Sequence, residues 1–208
     1  GGNASGGQIT GKLGDAVVLN GVENITLQRM QLDNAGGRAL SISNATSTVL
    51  AYCRLDNSAS HGISGSGNQD LTITGCVLDG NGTTAGDSSI RLVGSDPGAG
   101  LAGDFSMTDS LIVNYPEHAL LVENYSGNLI ATIDGCTINV NNDLFGADAL
   151  LFVSANTARI SMDLLNSSFD APEGAIVRFE SDGTTGNDLN ILNNLSTNGG
   201  GPDKAPAG

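Results

Sequence analysis

The sequence predicts an all-β chain wound as a right-handed parallel β-helix, a β-solenoid of about seven coils. Three observations carry that prediction. A nine-residue phrase recurs along the chain, a shorter apolar phrase follows each copy, and Gly, Asn, Asp and Ser fill the gaps. Both phrases alternate apolar with small or polar residues, which is the period of a strand and not of a helix. A unit this short cannot bury its own apolar face, but stacked units cover one another.

The first phrase runs from Ile25 to Asp33 (ITLQRMQLD), from Thr48 to Asp56 (TVLAYCRLD) and from Leu71 to Asp79 (LTITGCVLD). It returns from Phe105 to Val113, from Ala131 to Asn139 and from Met162 to Asp170. Each copy passes a kink, then places Met30, Cys53, Cys76, Ser110, Cys136 or Ser167, and two positions on an apolar residue. Those apolar residues are Leu32, Leu55, Leu78, Ile112, Ile138 and Phe169, expected to stack as one inward column. The spacings are 23, 23, 34, 26 and 31 residues.

The second phrase begins at Ala16 (AVVL) and returns at Ala39, Gly62, Ser89, Ala119, Ala149 and Ala175. A degraded last copy of the first phrase lies near Leu189 to Leu195. Parallel strands stack about 4.8 Å apart, so seven coils predict a rod roughly 34 Å long. Residues 1–196 are expected to form this single domain. Residues 197–208 (TNGGGPDKAPAG) lack the apolar residues of a coil and are expected to be a tail or linker. The third coil carries two excursions, Gly80 to Ser88 and Gly94 to Asp104. Long loops on a rigid scaffold are where function usually sits, although closure entropy makes such insertions cheap.

Composition narrows the function classes. Of 208 residues, 30 are Gly and 21 are Asn; tryptophan is absent and the net charge is −14. That sign repels phosphate backbones and anionic lipid, so nucleic acid and membrane insertion are not expected. The opening Gly1-Gly2-Asn3 falls mid-pattern, the expectation being a segment of something longer. Three cysteines without a CxxC give neither a disulfide framework nor a zinc site. They share a column with Ser and Met, which points to buried free thiols, although Cys53 and Cys76 on neighbouring coils are close enough in principle for a disulfide.

In this Asn- and Gly-rich repeat the chain resembles the parallel β-helix proteins of large bacterial surface and secreted proteins, over about residues 8–196. The resemblance implies the fold and an extracellular or cell-surface location. For function it spans lyases, hydrolases, adhesins and tailspikes. The pair His61-Gly62 is similar to the His-Gly of β-helical polygalacturonases, but their Arg-x-Lys motif has no counterpart here. Glycosidic acid–base work needs two carboxylates flanking the bond, and only Asp56 lies near His61 in sequence. A lyase would join calcium-binding aspartates to a basic group, yet the arginines are scattered one to a coil. The column through His61 (Arg38, His61, Ser88, His118, Asp148, Gly174) varies so much that a solvent-facing position near a turn is expected.

Two columns remain as candidate sites. Asp33, Asp56 and Asp79 form a carboxylate ladder. It can fan into solvent, accept backbone N–H groups as Asx turns, or share a calcium ion. The outward column of the second strand ends in Leu121, Leu151 and Val177, a candidate apolar contact strip covered by the loop Asn141 to Asp148, by a second chain through self-association, or by a neighbouring segment of a longer chain. The expected function is a structural or adhesive β-solenoid segment without a cofactor. The alternatives are a polysaccharide lyase or glycoside hydrolase module and a module binding a surface glycan.

Overall fold

The computed structural model describes residues 6–139, 148–170, 174–182 and 186–197. Their regular structure is β-strand, arranged in three parallel sheets of eight, seven and seven strands, so the chain makes close to seven turns of a solenoid. Each turn visits the sheets in the same order. In the second turn, for example, Met30–Asp33 lies in the first sheet, Leu40–Ser43 in the second and Thr46–Ala51 in the third. The nine-residue phrase is thus the end of a third-sheet strand, a corner, and the first-sheet strand of the next turn.

The expected inward column is present. Leu32, Leu55, Leu78, Ile112, Ile138 and Phe169 stand in register on successive rungs, all buried. The third sheet adds Leu27, Leu50, Ile73, Met107, Ile133 and Leu164, and its last rung, Ile191, is exposed. The second adds Leu40, Ile63, Ile90, Leu120 and Leu150. Fully burying one such side chain contributes about 1.5–3 kcal/mol, so the core is the sum of three apolar ladders.

Corners explain the Asn and Gly content. The backbone turns sharply by placing one residue in the left-handed region, which Asn tolerates better than other side-chain-bearing residues. After the first-sheet strands this residue is Asn34, Asn57 or Asn114, with φ of 51°, 53° and 54°. The kink inside the nine-residue phrase is the same device, built on Arg29, Tyr52, Asp109, Asn166 and Asn193, again at positive φ. Buried asparagines tie the corners between turns. Asn68 accepts the Ala45 N–H at 3.1 Å and donates to the Ile42 carbonyl at 3.2 Å. That close passage is why position 65 is Gly: a Cβ there would lie 1.5 Å from the Ile42 oxygen.

The excursion expected over Gly94 to Asp104 is shorter, because Leu101–Thr108 is a strand. Asn124 holds its start, accepting the N–H groups of Gly100 and Leu101 at 2.8 and 3.1 Å. The expected tail beyond Thr197 lies outside the described residues, as does the loop 140–147.

Candidate functional site

Asp33, Asp56 and Asp79 do stand on neighbouring rungs. Their oxygens face donors from the same corner. Asn34 Nδ2 donates to Asp33 at 2.7 Å and Asn57 Nδ2 to its other oxygen at 3.2 Å. Asn114 Nδ2 donates to Asp79 at 2.7 Å. Arg54 lies across the ladder, paired through Nε with Asp56 and through a terminal nitrogen with Asp79 at 3.5 Å. Among the described residues no group of three or more His, Cys, Asp or Glu is arranged to hold a metal. Asp56 is buried, with one oxygen free of hydrogen bonds. Burial pushes its carboxyl up to about 6, against the pull of Arg54 and with help from Asp79 and Asp33.

His61 is not solvent-facing, which corrects the sequence expectation. It is only 8% exposed, and its Nδ1 accepts the Ser88 N–H at 3.0 Å. The cause is the first excursion, which folds back over it. Asp87 accepts the Thr83 and Thr84 N–H groups at 3.0 and 2.9 Å and the Ser60 hydroxyl at 3.2 Å. This brings Asp87 to 3.8 Å from His61 Nδ1. Burial alone would raise the Asp87 carboxyl, but the Thr83 and Thr84 donors hold it below its ordinary value. Burial holds the His61 imidazole below its ordinary value, opposed by Asp87 and reinforced by Arg91 and Arg38. With Nδ1 accepting, the neutral ring carries its proton on Nε2. His118 and Asp148 in the same column are also buried, and His118 Nδ1 pairs with the Asp148 carbonyl at 2.9 Å.

The thiols form a ladder of their own. All three cysteines are free and buried. Cys53 N–H donates to the Cys76 sulfur at 3.3 Å, and Cys76 N–H to the Ser110 hydroxyl at 3.1 Å. Cys136 N–H donates to the Ser167 hydroxyl at 3.1 Å, and Ser167 N–H to Asn194 at 2.8 Å. The column therefore selects a small side chain that accepts from the rung above and donates to a nearby carbonyl. Burial pushes Cys136 up to about 11, so it stays a thiol at neutral pH.

On the outer face of the second sheet, Leu121 and Leu151 are neighbours in register and half-buried. Val177 is not the next rung. It pairs with Leu150, and Arg178 stands opposite Leu151. Stacking of Phe152 on Phe179, with centroids 5.3 Å apart, fixes that register. The strip is thus two leucines bounded by Arg91 and Arg178. Its expected cover, Leu144 and Phe145 of the loop, lies outside the described residues.

No family model matches the chain, and no curated protein matches it. Among solved structures, one titled "Glycoside hydrolase" is similar with a TM-score of 0.44 and 10% sequence identity. The match covers 87% of this chain and 38% of that one, so this chain spans well under half of that structure.

Sequence reasoning passed over Asp87 and Asn81, and placed Arg91 only as one member of the outward column between Ser64 and Leu121, where it stands. Asn81 accepts the Ser58 N–H and hydroxyl at 3.2 and 2.7 Å and donates to the Leu55 carbonyl at 2.8 Å. The signal lay in the run Asn81 to Asp87, where Thr83 and Thr84 precede an aspartate at capping distance.

Proposed function

We propose that the chain is a structural or adhesive β-solenoid segment of an extracellular or cell-surface protein. One observation carries this reading. Polar side chains at the corners bond one turn to the next: Asn68, Asn81 and Asn124 to backbone, Asn57 to Asp33 and Asn114 to Asp79, His61 to Ser88. A side chain turned to its own neighbouring coil serves stacking rather than chemistry on a bound substrate. No helix among the described residues is long and apolar enough to cross a membrane. The experiment is twofold. Small-angle scattering should give an elongated rod, and incubation with a panel of plant, fungal and bacterial polysaccharides should release neither reducing ends nor unsaturated products. Turnover that co-purifies with the protein and disappears in a variant of Asp87 would overturn the scaffold reading.

A further inference from the structure

In a chain of net charge −14, both histidines and three of the six arginines lie on or beside one surface, the outer face of the second sheet. Arg91 is the singular member. It stands on the strand Ser88–Val93, between Ser64 on one side and Leu121 on the other. Its side chain is half-buried, and among the described residues it has no hydrogen bond or ion pair. Arg38, Arg54, Arg159 and Arg178 are each paired with a carboxylate. Arg29 is free too, but it is exposed at a corner.

The acids of this face make no ion pair with Arg91, and each has an oxygen accepting from another donor. Asp87 is held by Thr83 and Thr84. Glu117 takes the Gly86 N–H. Asp148 takes the Ala175 N–H at 2.8 Å and pairs with Arg178, and Glu123 takes the Tyr125 hydroxyl at 2.6 Å. A guanidinium left without a partner on a partly desolvated face is a fork suited to a planar carboxylate.

Around it stand groups suited to a sugar. The Ser64 hydroxyl on the adjacent rung makes no hydrogen bond among the described residues, and neutral His61 offers Nε2–H from the neighbouring corner. Leu121 and Leu151 continue the same column as an apolar floor for ring C–H groups. Both edges of the strand Ser88–Val93 are already paired, so an extended peptide finds no main-chain partner there. Both excursions of the third coil leave from the ends of this one strand, before Ser88 and after Val93.

We infer that the outer face of the second sheet around Arg91 binds a carboxylate-bearing saccharide, with Arg91 on the carboxylate, Ser64 and His61 on ring oxygens, and Leu121 beneath the ring. The site goes beyond the scaffold reading, which stands whether or not the site is real. The test is calorimetric titration of the full chain with an oligoglucuronate, a neutral oligoglucoside of the same length, acetate and a polyglutamate peptide. The oligoglucuronate should bind measurably and the neutral sugar much more weakly. Arg91→Met, which keeps the apolar stem, should weaken oligoglucuronate binding by roughly tenfold or more with unchanged circular dichroism. Arg91→Lys, the milder change if Arg91→Met does not fold, should weaken it less. No binding of the oligoglucuronate, or equal binding by either variant, overturns the site. Acetate or polyglutamate binding as tightly as the sugar overturns the saccharide assignment. A chain that is dimeric by light scattering and becomes monomeric on Arg91→Met would assign the face to a second copy and overturn the proposal.

Discussion

His61 and Ser88 are joined across neighbouring coils, the imidazole Nδ1 accepting the backbone N–H at 3.0 Å. The pair converts a residue that looked like a loose corner into a tie between turns. His61→Ala should therefore leave a buried donor without a partner and cost about 1–3 kcal/mol. His61→Asn, which keeps an acceptor on a shorter arm, should recover part of the loss. Urea unfolding of the three proteins checks this; an alanine variant as stable as the parent would mean that water replaces the imidazole.

How much of this was legible differs by column. The inward Leu32 to Phe169 ladder was readable because period-two alternation and a repeated kink fix which face is buried. The last rung of the second sheet was not. Ile176 and Val177 are both acceptable inward residues, so the local pattern is degenerate by one position, and only the stacking of Phe152 on Phe179 sets it. The burial of His61 was hidden for another reason. It depends on Asp87, which is 26 residues away in sequence and reaches it only because the excursion folds back. The freedom of Arg91 was likewise invisible, since it depends on where four distant carboxylates point.

The apolar ladder sets the second expectation. Leu78 is fully buried between Leu55 and Ile112. Leu78→Ala should cost about 2–5 kcal/mol, and Gly65→Ala should also destabilise, since its Cβ would meet the Ile42 carbonyl at 1.5 Å. Denaturant midpoints measure both; a Gly65→Ala protein of parental stability would require the corner to move away from Ile42.

The thiol column makes a sharper distinction. Cys76→Ser keeps an acceptor for the Cys53 N–H, as Ser110 already does for Cys76. Cys76→Val has similar bulk but removes the acceptor. The valine variant should be less stable than the serine variant by about 1 kcal/mol or more. Equal stability would show that volume alone governs the column.

Metal removal tests the carboxylate ladder. Asp79 takes Asn114 Nδ2 and Arg54, both donors that an asparagine oxygen can also accept in part. EDTA should leave the melting temperature unchanged, and Asp79→Asn should shift it by only a degree or two, within about 0.5 kcal/mol. A melting temperature lowered by EDTA in the parent but not in Asp79→Asn would establish the calcium alternative.

Asp56 predicts an unusual pH response. Its carboxyl ionises near 3.8 in the unfolded chain and near 6 in the folded one, chiefly because it is buried. Between those values the native state holds a proton that the unfolded state has released, so stability falls as pH rises through the window. Below the unfolded value nothing is lost; above the folded value the full loss is present, on the order of 2–3 kcal/mol. Asp56→Asn mimics the protonated carboxyl at every pH. It should be more stable than the parent at neutral pH, converge with it in acid, and lack the parent's decline between those limits. His61 acts with the opposite sign. Burial lowers its value, so its contribution is lost as pH falls through the ordinary histidine range. Repeating the comparison in a His61→Gln background removes that opposing slope. An Asp56→Asn protein that is less stable than the parent at neutral pH would show that the Arg54 ion pair outweighs burial, and that the ladder is held together by charge.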